Sequence, residues 1–176
     1  AEAARRAEAA RRAEVPLPEA RGRRDVGPEP VPRPDPEPPT RDTSSGGVLS
    51  RPGYGPITSS YGMRLHPVTG IYKMHDGTDF GEGCGTPIRA AAAGVVIWAS
   101  YQGGYGNQVA IDHGLIGGEN LVTSYSHQSR FAVRAGTSVS RGQVIGYVGS
   151  TGYSTGCHLH FMVYESGRHV DPMGLL

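Results

Sequence analysis

The chain has 176 residues, with seven histidines, two cysteines and a formal net charge of +1. That length suits one domain with a tail, and the near-neutral charge gives no basis for a nucleic-acid or membrane-surface partner. No apolar run approaches the ~20 residues needed to span a bilayer.

Residues 1–14 repeat "AEAARR". Alanine, glutamate and arginine are strong helix formers, and Glu2–Arg6 and Glu8–Arg12 are i,i+4 pairs with the acid on the favourable side. The segment reads as the solvated end of a longer helix. It lacks the large apolar residues of a coiled-coil seam, although a coiled coil can lie upstream. Residues 15–45 hold nine of the fourteen prolines. Such a segment cannot bury enough apolar surface to offset its ordering entropy and is expected to form an extended spacer. Residues 1–45 carry nine arginines and nine acids, so the tail is charge-balanced.

From residue 46 onward the composition changes, and 25 of the 27 glycines follow. Short runs rich in β-branched and aromatic residues alternate with turn signals: "GVVIWAS", "NQVAIDHG", "NLVTSYSH", "GQVIGYVG" and "HLHFMVYES". Closely spaced strands of this kind predict an all-β, mostly antiparallel domain of barrel or sandwich type over residues 46–176. It is large enough to build its own core.

The last run carries chemistry. Side chains of a strand alternate between faces. His158, His160, Met162 and Tyr164 fall on one face, and Leu159, Phe161 and Val163 form an apolar opposite face. The two histidines therefore project together, away from the core. Upstream, "HDGTDF" places His75 and Asp79 four residues apart, on one face if extended. An imidazole and a carboxylate suit zinc, and one histidine of the later pair makes three protein ligands with a fourth position open, as in catalytic sites. No HExxH is present, which excludes a helical zinc-protease site.

The stretches "ITSSYGMRLHPVTG", "MHDGTDFGEGCGTPIRAAAAGVV", "GNQVAIDHG", "SYSHQS" and "VSRGQVIGYVGSTGYSTGCHLHF" resemble, in order, the M23 peptidases, the lysostaphin/LytM-type zinc endopeptidases of bacterial cell walls. The resemblance covers roughly residues 54–176. It implies that His75 and Asp79, in the HxxxD motif, and His160, the second histidine of HxH, bind one zinc ion (Zn2+). His158 and His127, the latter in "YSH", would be catalytic. Arg64 and His66, in "RxHP", would line the substrate groove. Tyr125, one strand step from His127, is a candidate hydrogen-bond donor there, and the glycine-rich loops "YQGGYGN" and "LIGGEN" are candidate groove walls. His113 is expected to be structural and His169 a surface residue.

The family implies an extracytoplasmic bacterial enzyme cutting peptide bonds in peptidoglycan stems or crosslinks, with peptidoglycan peptides as its partner. A cell-division or cell-wall protein could dock on the upstream helix. Cys157 precedes His158 and Cys84 follows Asp79 by five residues, so a disulfide between them would tie the two ligand-bearing segments together and fit an exported protein. Two other readings compete. One is a non-catalytic LytM-type regulator that binds the wall or activates an amidase. The other rests on "VRAGTSVSRGQVIGYVG", which resembles lipoyl and biotinyl carrier hairpins, but a carrier needs a lysine in an exposed turn, and the one lysine, Lys73, stands beside the zinc motif.

Overall fold

The computed structural model describes residues 47–65 and 70–176. The helical end at 1–14, the spacer at 15–45 and His66 lie outside the described residues. Among the described residues there are thirteen strands, two short 3-10 turns and no α-helix. In chain order the strands are β1 (Ile57–Ser59), β2 (Gly62–Leu65), β3 (Tyr72–His75), β4 (Thr78–Phe80), β5 (Pro87–Arg89), β6 (Gly94–Tyr101), β7 (Asn107–Ile116), β8 (Glu119–Ser126), β9 (Arg130–Phe131), β10 (Ser138–Val139), β11 (Val144–Tyr147), β12 (Leu159–Glu165) and β13 (Arg168–Val170). The five β runs read from the sequence coincide with β6, β7, β8, β11 and β12, with ends displaced by no more than two residues.

The strands form an eight-stranded sheet in the order β1-β4-β12-β8-β7-β6-β10, with β13 also on β12. A three-stranded sheet, β5-β11-β9, and a two-stranded hairpin, β2-β3, complete the fold. Every pairing is antiparallel. One core joins the two larger sheets: Phe80, Val109, Ile111, Tyr125, Leu159 and Phe161 from the first meet Ile88 and Ile145 from the second. Phe161 is at its centre, fully buried, with ring centroids 5.3 Å from Tyr125 and 6.5 Å from Phe80. Burying a side chain of this size stabilises the fold by about 1.5–3 kcal/mol.

The position of β12 organises everything else. Its Leu159, Phe161 and Val163 point into the core, as the alternation requires, so His160 points out of it. On one side β4 sets Asp79 opposite His160, and on the other β8 sets Ser126 opposite the same residue. A one-residue slip would exchange the two faces, so burial of the apolar face locks the position of His160.

Candidate active site and metal centre

His75 ends β3, in the two-stranded hairpin, and Asp79 lies in β4 of the large sheet. They do not share a continuous strand, as the extended reading had it. The chain turns at Asp76–Gly77 and brings both side chains to the end of β12. Gly77 makes this turn possible: a Cβ there would stand 2.5 Å from the Phe161 carbonyl oxygen and 2.8 Å from Cε1 of His160.

Three donor atoms converge. His75 Nε2 and His160 Nδ1 are 3.1 Å apart, His160 Nδ1 and Asp79 Oδ1 2.7 Å, and His75 Nε2 and Asp79 Oδ1 3.2 Å. Ligands of a tetrahedral zinc ion at ~2.0–2.2 Å stand about 3.3–3.5 Å from one another, so these atoms need part by only a fraction of an ångström to hold one. Proton placement agrees. His75 Nδ1–H donates to the Ser60 carbonyl at 2.8 Å, which turns the lone pair of Nε2 towards the centre. Two imidazole nitrogens and a carboxylate oxygen form a donor set that fits zinc.

The surroundings are strongly polar yet largely buried. Burial alone would raise the pKa of Asp79, but the adjacent His160 and His75 rings outweigh it and hold the carboxyl well below the usual range. The carboxyl of Asp76 is lowered too, by the nearby His160 ring and by the Tyr105 hydroxyl, whose hydrogen bond it accepts. Burial opposes charge on His160, and the two carboxylates overcome this and raise its pKa. Arg64 Nη2 stands 3.7 Å from the outer oxygen of Asp79, and its side chain remains 27 % exposed.

His127 and His158 flank this cluster. Their ring centroids are 4.6 Å apart, and His127 lies 5.9 Å from His160. His127 Nδ1–H donates to the Thr151 carbonyl at 2.7 Å, and His158 Nδ1–H donates to the Gly156 carbonyl at 3.0 Å. Each ring therefore keeps Nε2 as an acceptor, and Nε2 of His158 is 3.8 Å from Asp79. Burial, partly offset by the Thr151 hydrogen bond, pushes the pKa of His127 down to about 4. The backbone of His127 is left-handed at φ 60°, a conformation that costs a non-glycine residue about 1–2 kcal/mol. Loop contacts hold it: His127 N–H donates to the Tyr105 carbonyl at 2.8 Å and Asn107 N–H to Thr151 Oγ1 at 2.9 Å.

All five residues line one open cleft of about 230 Å³, together with Arg64, Lys73, Asp76, Tyr105, Tyr153 and Ser154. The "YQGGYGN" loop contributes Gly104 and Tyr105 to its wall as expected. The "LIGGEN" loop does not, because it closes the far end of the β7–β8 hairpin. Lys73 is on β3 and not in a turn, which removes the basis of the carrier reading.

Tyr125 also departs from expectation. It is fully buried in the core against Phe161, and its hydroxyl accepts from Ala91 N–H at 2.8 Å. Period two would put Tyr125 and His127 on one face, but β8 ends at Ser126 and the left-handed His127 breaks the alternation. Tyr125 therefore lines no part of the cleft. His113 bonds to Ala93 and Thr123, away from the cleft, and exposed His169 packs against Tyr164 with the rings tilted at 48°. Sequence reasoning missed Asp76 and Tyr105. Asp76 stood inside a motif already singled out, but no strand period applies within a turn.

Cys84 and Cys157 stand at disulfide distance, with Cα atoms 5.3 Å apart at a sequence separation of 73.

A profile of peptidase family M23 matches residues 73–172. The peptidoglycan DD-endopeptidase ShyC of Vibrio cholerae is 46% identical over 109 residues, covering 62% of this chain and 24% of that protein. The catalytic domain of lysostaphin from Staphylococcus simulans superposes with a TM-score of 0.61 at 34% identity, covering 68% of this chain and 90% of that one. A zinc-containing peptidase from Vibrio cholerae gives a TM-score of 0.62 at 40% identity, covering 68% and 36%. The chain spans about a quarter of the length of the curated relatives it matches. With the profile match extending over more than half of the sequence, and the same residues gathered in one cleft, the chain belongs to peptidase family M23.

Proposed function

We propose that residues 46–176 form a zinc-dependent endopeptidase domain that hydrolyses peptide bonds in peptidoglycan stems or crosslinks outside the cytoplasm. The observation that carries this reading is the meeting of His75, Asp79 and His160 donor atoms within 3.2 Å of one another, with two further imidazoles beside them. The relative named as a peptidoglycan DD-endopeptidase and the neighbour described as zinc-containing support the substrate and the metal.

His75, Asp79 and His160 would hold the ion. Zinc at this place supplies Lewis acidity, which polarises an amide carbonyl and lowers the pKa of a bound water. His127 and His158 present unprotonated Nε2 atoms to the same cleft. One takes the proton of the attacking water and passes it to the leaving amine. The other, donating a hydrogen bond when protonated, stabilises the oxyanion. Arg64 and Lys73 line the wall where peptide carboxylates would approach. The proline-rich segment 15–45 would act as a spacer setting the reach of the domain into the wall, and a Cys84–Cys157 disulfide would suit an oxidising compartment.

The test is incubation with purified peptidoglycan and mass analysis of the released muropeptides, alongside measurement of bound zinc. New peptide fragments from the wild type and none from His160→Ala are expected. Bound zinc without any cleavage would replace the enzyme with a wall-binding or amidase-activating regulator.

A further inference from the structure

Asp76 and Tyr105 have no role in the chemistry so far, yet they enclose the one face of His160 that the three-donor cluster leaves over. His160 uses Nδ1 towards His75 and Asp79. Its Nε2 is fully buried and has no aligned hydrogen bond, and the atom nearest to serving as its acceptor is Asp76 Oδ1, at 3.3 Å. The other oxygen of Asp76 accepts the hydroxyl hydrogen of Tyr105. The Tyr105 ring lies nearly parallel to His160, 5.8 Å away at 22°. Tyr105 itself is fixed in the loop that also holds His127, through its carbonyl.

A neutral imidazole that gives Nδ1 to a metal must carry its proton on Nε2, and a buried N–H without an acceptor is costly. We propose that Asp76, braced by Tyr105, is a positioning residue: it accepts the Nε2 proton of His160, fixes the tautomer and ring orientation, and so sets the affinity of the site for zinc. Carboxylates placed behind metal-bound histidines act in this way. The inference rests on the zinc reading above.

The experiment measures Zn2+ affinity of the full chain by competition with a chromophoric chelator, and records the absorption spectrum of the Co2+-loaded protein. The variants are Asp76→Asn, Asp76→Ala, Asp76→Glu and Tyr105→Phe. Loss of the acceptor is expected to weaken zinc binding by about 10–100-fold in the Ala variant, and the Asn variant, which keeps an uncharged acceptor oxygen but loses the carboxylate, should lose less. Asp76→Glu should recover part of that loss, Tyr105→Phe should fall between, and the cobalt bands of the Asn variant should shift. Zinc affinity within twofold of the wild type in both the Asn and Ala variants would overturn the proposal. So would a loss accompanied by a fallen urea midpoint in Asp76→Asn, unchanged cobalt bands and no recovery by glutamate, since that pattern marks a purely structural residue. A wild type that binds no zinc would remove the zinc reading together with this one. A wild type that binds zinc, with variants that bind it equally, would remove this one alone.

Discussion

Replacing Gly77 with alanine tests whether the turn between His75 and Asp79 must lie against β12. Gly77 is not left-handed, so alanine meets no backbone strain there, and the whole effect comes from space. The added Cβ would stand 2.5 Å from the Phe161 carbonyl oxygen, 2.8 Å from His160 Cε1 and 2.8 Å from Met162 Cγ. Two of these cannot yield easily. The carbonyl belongs to a strand paired on both sides, by β4 and β8, and the imidazole is pinned by Asp79. Overpacking of this kind costs about 1–3 kcal/mol. For a domain of this size each kcal/mol lowers Tm by roughly 3–6 °C. The displaced imidazole should also weaken zinc binding more than tenfold, because ligand geometry is exacting. Thermal unfolding in the presence of chelator isolates the packing cost, and zinc titration reads the site. A variant with wild-type Tm and wild-type zinc affinity would show that the turn stands clear of β12 and would refute the reasoning.

Exchanging Cys84 and Cys157 for serine should lower stability by about 2–4 kcal/mol, since a bond between them closes a long loop of the unfolded chain; urea midpoints with and without reductant measure this, and two free thiols in the mass of unreduced protein would exclude the bond. His113 donates from Nδ1 to the Ala93 carbonyl and accepts from Thr123 at Nε2, and burial lowers its pKa in the folded chain. Its contribution is thus present above the unfolded value of ~6.5 and lost as pH falls below it. The wild type should lose urea stability between pH 7 and pH 5 relative to His113→Asn, and a pH-independent difference between the two would show that His113 does not titrate on unfolding.

The strand period made β12 and its two faces legible in the sequence, because Leu159, Phe161 and Val163 are apolar while His158, His160 and Tyr164 on the other face are polar. The convergence of His75, Asp79 and His160 was legible from motif resemblance, whereas the period-two argument for His75 and Asp79 had the wrong geometry: a turn, not a strand, aligns them. The same limit explains Tyr125. Alternation holds only while the chain stays extended, and the left-handed His127 ends it, sending the tyrosine inward and the histidine to the cleft. Asp76 and Tyr105 were beyond sequence reasoning because their meeting depends on two turns brought together by distant strand pairings.

The β7–β8 hairpin has one end at the cleft, where Ser126 faces His160, and the other at Gly117–Gly118. The eight residues of β8 carry the chain from one end to the other, roughly 26 Å. Both glycines have positive φ, and a side chain at either would meet no atom within 4 Å. Extra length at this tip disturbs neither the ladder nor the chemistry, so it is the natural place for the scaffold to accept an inserted loop, a fluorophore or a grafted recognition module.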